Sequence, residues 1–226
     1  MTSISIVIPV YNEEHKITNT IKSILRALNN VKIKNYELII INDYSSDNTL
    51  KKISSLNKKN IKVLNNDKNY GLGYSLKRGI LMSKLKYISW FPGDDAHSYK
   101  DIEKLFKNIK NNDILIPIPD RSNKRSFIRN LISKIYTNLL NLIFLKKIYY
   151  YNGATIYKKK IILKIINKVT SKSFFFLAEL LLRSSKITSK YKYVYYGVNK
   201  QNKTSAFNIK NLVFVIYDII ATRLSI

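Results

Sequence analysis

Cysteine is absent from the 226 residues, so neither a disulfide framework nor cysteine-ligated zinc is available, and the redox compartment is left open. Acid is scarce. Fourteen Asp and Glu stand against 40 Lys and Arg, a formal net charge of +26. Long apolar runs are also missing. The nearest approach to the roughly 18 residues of a membrane span is LVFVIYDIIATRLSI at the C-terminal end, interrupted by Asp218 and Arg223. The opening MTSISIVIPVYNEE carries no basic segment ahead of its apolar run, so it does not have the pattern of a secretory leader. Arginine is rare among the cations: Arg26, Arg78, Arg121, Arg125, Arg129, Arg183 and Arg223. The remaining basic residues are Lys in a chain crowded with Asn and Ile, the bias of an AT-rich coding sequence. The charge therefore has two readings, drift in composition and attraction to phosphate-rich partners. The few arginines are the more informative cations, because a guanidinium fork matches phosphate oxygens.

What is present is enough for a core: 46% of the residues are hydrophobic, which suits one domain. Strand and helix patterns alternate. Strands are expected at Ile4–Pro9, Glu37–Ile41, Ile61–Leu64, Lys86–Phe91 and Asp113–Ile116. Between them, Asn12 is expected to cap a helix whose apolar residues Ile17, Ile21, Ile24, Leu25 and Leu28 recur at helical spacing. Further helices are expected at Leu50–Leu56, Gly73–Lys84 and Tyr99–Lys110. This alternation predicts an α/β fold with a mainly parallel central sheet flanked by helices. In the second half, Ser126–Leu145 and Asn208–Ile226 read as amphipathic helices, Phe174–Leu182 as a dense apolar helix around Glu179, and Ala154–Tyr157 and Tyr191–Tyr196 as strands. Ligands of such sheets bind at the carboxyl ends of the strands. The loops PVYNEE, NDYSSD, NYGLG and GDDAHS all follow strands and fall on that one edge.

Within WFPGDDAHS, Asp94 and Asp95 are adjacent. Two neighbouring carboxylates repel each other, and solvation or a bound cation must offset the cost. Four segments together, SIVIPVYNEE, NDYSSDNT, NYGLGYSLKRG and GDDAH, resemble the family 2 glycosyltransferases in order and spacing, over about residues 4–105. The resemblance implies a GT-A fold over residues 1–206, with 1–118 binding the nucleotide sugar, 119–206 forming the acceptor half, and a separate apolar helix at 207–226. It implies that Pro9, Tyr11, Asn12 and Glu13 border the nucleotide, and that Asp43 accepts from its base or ribose. The Gly71–Gly73 stretch would shape the nucleotide cleft, with Asn69 and Arg78 as donors. It implies Mg²⁺ or Mn²⁺ on the carboxylates, Asp95 as the favoured ligand, with Asp94 facing the metal or the sugar and His97 as a third ligand or a sugar neighbour. The usual Asp-x-Asp pattern reads Gly93-Asp94-Asp95 here. Such an ion would offset the repulsion and neutralise the diphosphate leaving group.

The second half resembles the polyprenol-phosphate sugar transferases, the dolichol-phosphate mannose synthase group, at RNLISKIYTNLL, at Tyr151–Leu163 and at FFFLAELLLRSS. That resemblance places Arg121, Arg129 and Ser133 around an acceptor phosphate, Gly153 on a strand, and Glu179 as an orienting carboxylate. Glu179 needs a partner in its apolar setting, and Arg183 stands one turn on. A lipid phosphate is already an anionic nucleophile; a sugar hydroxyl needs a general base, for which Glu179 or Asp94 is the alternative. Two departures stand out. Where these synthases carry Arg-x-x-Gly-x-Ser-Lys, this chain has NKQNKTSAF, so Lys200, Lys203 and Ser205 would substitute. Asn42 stands where the family has Asp.

The expected reaction is inverting transfer from a UDP- or GDP-sugar to a polyprenyl phosphate, with a glycan hydroxyl in surface polysaccharide assembly as the alternative acceptor and an inactive relative as a further one. The expected place is cytoplasmic and peripheral, on a membrane surface that the amphipathic helices reach, with a membrane-protein partner as an option. A basic nucleic-acid-binding module is the rival class. No recognition helix supports it, and the Tyr191–Tyr196 aromatics are its only foothold, so no nucleic-acid partner is expected.

Overall fold

The computed structural model describes residues 2–56, 59–109, 112–120, 127–197 and 209–226. Its elements run β1 (Ser3–Val10), α1 (Ile17–Asn30), β2 (Asn35–Asn42), α2 (Thr49–Ser54), β3 (Ile61–Asn65), α3 (Leu72–Met82), β4 (Tyr87–Trp90), α4 (Tyr99–Lys107), β5 (Ile114–Pro119) and α5 (Phe127–Phe144). Then follow β6 (Ile156–Lys158), α6 (Lys159–Leu163), a 3₁₀ turn (Ile166–Lys168), α7 (Phe176–Ser184), β7 (Tyr191–Tyr196) and α8 (Ile209–Ser225). The alternation expected from the sequence is present, and the elements that it did not anticipate are α6 and the 3₁₀ turn.

One seven-stranded sheet has the order β3-β2-β1-β4-β6-β5-β7. The β3-β2, β2-β1, β1-β4 and β5-β7 pairs are parallel. The short β6 runs antiparallel to both of its neighbours. Its ladder with β5 covers only Ile114 and Leu115. Pro117 follows and has no N–H to continue it.

Both faces of the sheet are covered, which explains why its central strands are unbroken apolar runs rather than alternating ones. Ile4, Ile6, Ile8, Leu38 and Ile40 pack on one side with Ile17, Ile24 and Leu28 of α1 and Ile102 and Leu105 of α4. Val7, Ile39, Ile41, Ile88 and Ile114 face the other way, toward α3, α5, α7 and α8. Side chains of this size contribute roughly 1.5–3 kcal/mol each when fully buried, so the two layers anchor the strands whose ends carry the loops described next.

One local expectation is corrected. Asn12 does not cap α1: that helix begins at Ile17, its preceding residue Lys16 offers no side-chain cap, and Asn12 stands well before it with φ 54°. The intervening turn is closed instead by the Lys16 and Ile17 N–H groups donating to the Glu13 carbonyl, at 3.0 and 2.9 Å.

Candidate active site

The carboxyl ends of β1, β2, β3 and β4 lie on one edge, because these four strands are mutually parallel. Among the described residues, five non-glycine residues have left-handed backbone, and three of them, Asn12 (φ 54°), Tyr44 (φ 63°) and Asp95 (φ 57°), lie in loops on this edge. Such conformations persist only where surrounding contacts hold them, and they cluster at functional sites.

Here the contacts are visible. Asn12 Oδ1 accepts from the Ser46 N–H (2.8 Å), and the Asn12 N–H donates to Ser45 Oγ (3.0 Å). The Glu13 N–H donates to Thr49 Oγ1 (2.8 Å). The β1 and β2 loops are thus one unit. Tyr11 and Tyr44 are left about half exposed on it, two aromatic faces at the rim.

Asp43 is buried, and its carboxylate accepts from Asn66 Nδ2 (2.6 Å), the Tyr70 N–H (3.0 Å) and the Gly71 N–H (2.8 Å). It therefore fixes the loop ahead of α3. Asn69 Oδ1 accepts from the same Gly71 N–H at 3.1 Å. Gly71 has φ 85°, a left-handed turn that favours glycine, and it opens α3. Arg78 is turned onto the end of β3, donating to the Asn65 carbonyl (2.7 Å) and to Asn66 Oδ1 (2.5 Å). Asn42 is buried and accepts from the Ser45 N–H at 3.3 Å.

Asp94 and Asp95 are both partly buried but face different groups. Asp94 Oδ1 accepts from the Ala96 N–H (3.1 Å). Glu13 is raised above the ordinary carboxylate range chiefly by burial, opposed by Lys16, and the negative charge of Asp94 adds to the rise. Asp95 turns to α1: its N–H donates to Thr20 Oγ1 (2.9 Å). Burial raises the Asp95 carboxyl, while the Asn19 side chain and Lys16 act against that. His97 is buried, packed on Phe91 (5.6 Å) and Tyr196 (5.1 Å), and burial lowers it to about 4, so it is a neutral core residue.

Among the described residues, no three His, Asp or Glu side chains gather as a self-contained metal cage. The hard oxygen donors at the cleft are carboxylates. Mg²⁺ characteristically takes one or two carboxylates together with substrate phosphates and waters, and this donor set fits such a site.

In the second half, Glu179 is fully buried. It accepts from Arg183 Nε (2.7 Å), the Ser171 N–H (2.9 Å) and the Thr170 N–H (3.2 Å). The partner expected for it is the partner found. Ser133 is half-buried on α5, and the backbone of Arg129 lies in the same helix. Gly153 lies against Pro117, so close that a Cβ would sit 2.6 Å from its ring. Arg121, Lys200, Lys203 and Ser205 lie outside the described residues.

The sequence model of Glycosyl transferase family 2 matches residues 5–166. This chain belongs to that family. Within the family it is 34% identical, over 57% of its length, to a dolichyl-phosphate beta-glucosyltransferase of Dictyostelium discoideum. It is 30% identical, over 88% of its length, to the poly(ribitol-phosphate) beta-N-acetylglucosaminyltransferase TarP of Staphylococcus aureus. The chain spans 45% and 63% of those two relatives. Its fold matches glucosyl-3-phosphoglycerate synthase of Mycobacterium tuberculosis, solved with Mn²⁺, UDP and glucosyl-3-phosphoglycerate (TM-score 0.73, 16% identity, 99% of this chain and 79% of that one). It also matches S. aureus TarS residues 1–349 with UDP-GlcNAc (TM-score 0.69, 18% identity, 98% and 66%). The GT-A architecture expected from the sequence is the one present.

Proposed function

We propose that this family 2 glycosyltransferase moves a sugar from a UDP- or GDP-sugar to a polyprenyl phosphate, with inversion, at a membrane surface. The observation that carries the lipid half of this reading lies on α5 and α8. Ile128, Leu131, Ile135, Leu139 and Leu142 of α5 are exposed, at helical spacing that forms one outward stripe. Val213, Ile216, Tyr217, Ile220 and Leu224 repeat the pattern on α8. α5 contains Arg129 and Lys134 and no acid; the one acid of α8, Asp218, is turned to two serines. Outward apolar stripes on basic helices suit an anionic lipid interface, where the phosphate end of a polyprenol is presented. No helix among the described residues is long and apolar enough to cross the membrane, so contact would be peripheral.

Chemically, Tyr11 and Tyr44 offer faces for the base, and the loop held by Asp43 offers backbone for the ribose and diphosphate. Asp95, with Asp94 beside it, would hold Mg²⁺ or Mn²⁺, which when bound supplies charge neutralisation on the diphosphate. The acceptor attacks the anomeric carbon on the face opposite the leaving nucleotide, which inverts the centre. A phosphate acceptor needs cations rather than a base, and Arg121 and Arg129 are the residues assigned to it. Glu179, with its oxygens taken up by Arg183 and two backbone N–H groups, acts as a clamp rather than a base in this reading.

The glycan alternative has its own support: the TarP relative aligns with 88% of this chain. The experiment is transfer from labelled UDP- and GDP-sugars, with Mn²⁺ or Mg²⁺, to a polyprenyl phosphate in detergent. Chelator-sensitive label in the organic phase is the expected result. Nucleotide release that needs a ribitol-phosphate polymer instead of lipid would overturn the lipid acceptor and leave the transferase.

A further inference from the structure

The segment Val169–Ser173, between the 3₁₀ turn and α7, lies against the opening of α3. The contact is backbone to backbone: a Cβ on Gly73 would sit 2.8 Å from the Lys172 carbonyl carbon and oxygen. Gly71 faces the same oxygen, at 3.6 Å from where its Cβ would be. Lys77 of α3 adds a second tie, donating from Nζ to the Val169 carbonyl at 2.7 Å. The position of this segment therefore sets the position of Tyr70, Gly71 and the first turn of α3.

Two carboxylates hold the segment from behind. Glu179 takes its Thr170 and Ser171 N–H groups. Asp218 of α8 takes its hydroxyls: Ser171 Oγ and Ser173 Oγ both donate to Asp218 Oδ2 at 2.5 Å. The sequence makes Asp218 a costly choice, since it interrupts the apolar run of α8 in a chain short of acid. Its two charge-assisted hydrogen bonds supply the offset. Arg183 Nη2 also donates to Ser225 Oγ (2.7 Å), but the same guanidinium holds Glu179 and so is linked to the segment; at the far end of α8, Lys186 Nζ donates to the Ile226 carbonyl (2.7 Å), a contact that does not touch the segment.

We infer that Asp218 is a positioning residue for the donor cleft: α8 latches Val169–Ser173, and that segment holds the Gly71–Gly73 loop in place for the nucleotide. The inference rests on the proposed nucleotide-sugar site. It adds that α8, whose outer face is apolar, is mechanically joined to donor binding. Whatever that outer face meets, displacement of α8 is transmitted through two serines and one backbone contact to the residues that Asp43 holds.

The test uses the full chain and four variants: Asp218→Ala, Asp218→Asn, the double Ser171→Ala/Ser173→Ala, and Lys186→Ala as a control that loosens the far end of α8. Hydrogen exchange of the nucleotide-free protein is read at the Tyr70 and Gly71 amides. UDP and GDP binding with Mn²⁺ is measured in parallel, with steady-state transfer where the donor is found. Asp218→Ala and the double variant should both speed exchange at Tyr70 and Gly71. Both should also weaken nucleotide binding about tenfold, within the usual range for coupled sites, raising KM for the donor more than they lower kcat. Asp218→Asn, which keeps an acceptor oxygen, should restore most of the affinity, and Lys186→Ala should leave both readouts unchanged. Should Asp218→Ala fail to fold, the serine pair removes the same bonds without altering α8. Unchanged exchange in the serine variant, or equal acceleration by Lys186→Ala, overturns the inference. If the parent chain binds neither UDP nor GDP, the nucleotide-sugar reading falls, while the exchange result still decides whether the latch exists.

Discussion

Asp43 shows how one residue can fix a whole loop. Its carboxylate ends β2 and accepts from three donors on the next loop. Asp43→Ala would take its acceptor from the Tyr70 N–H and leave the Gly71 N–H and the Asn66 amide only their longer bonds to Asn69 and Ser75, at a cost of about 1–3 kcal/mol. Urea unfolding of Asp43→Ala should show that loss together with weakened nucleotide binding; unchanged stability would mean the loop is held by something else. Gly73 is a second sensitive position. Gly73→Ala pushes a methyl into the Lys172 backbone, which is not the flexible end of a side chain and has little room to yield. Overpacking of this kind costs typically 1–3 kcal/mol, and donor affinity should fall with it. The pairing of Glu179 with Arg183 was legible from a four-residue spacing in an apolar helix. The burial of His97 was not. It depends on Tyr196, about a hundred residues away, which no local pattern announces.

Among the elements, the strands and the longer helices were legible because burial on both faces of a parallel sheet leaves unbroken apolar runs, and a one-faced helix leaves a 3.6-residue period. The start of α1 was misread for a physical reason. Asn12 has the chemistry of a cap, but that same chemistry ties it to Ser45 and Ser46 on the neighbouring loop, and the helix begins later without it. The antiparallel sense of β6 was equally hidden, since a three-residue strand carries no directional signal. Asp113, at the start of β5, joins three elements. It accepts from Lys158 Nζ of β6 (2.7 Å) and from Thr188 Oγ1 ahead of β7 (2.8 Å). Burial alone would raise its pKa, but Lys158 and Thr188 outweigh that and hold it below the usual 3.8. A lowered carboxyl binds fewer protons in the folded than in the unfolded chain. The stability it contributes is therefore complete above pH 3.8 and declines as the pH falls through the lower folded value. Asp113→Asn should flatten that part of an acid-unfolding curve, and an unaltered curve would exclude this residue as its source.

Taken whole, the molecule joins a +26 charge to two helices with apolar outer faces. Each Lys or Arg near an anionic bilayer contributes roughly 1 kcal/mol of attraction, and salt screens that attraction while leaving apolar insertion in place. Flotation with vesicles containing phosphatidylserine should therefore show binding that weakens, but persists, as salt is raised. Ile135→Asp with Ile220→Asp should abolish the salt-resistant part. Full binding by that variant would assign the stripes to a protein partner instead.

The sheet order has a consequence for the growing chain. β1 to β4 find their mutual partners as they are made, so the first half of the sheet can assemble early. β5 cannot, because its neighbours β6 and β7 both follow it in the chain. Until they emerge, a buried apolar strand has neither edge satisfied, and such edges recruit other strands. Chains released just after Pro119 should therefore be the aggregation-prone lengths, and chains that extend through Tyr196 the first safe ones.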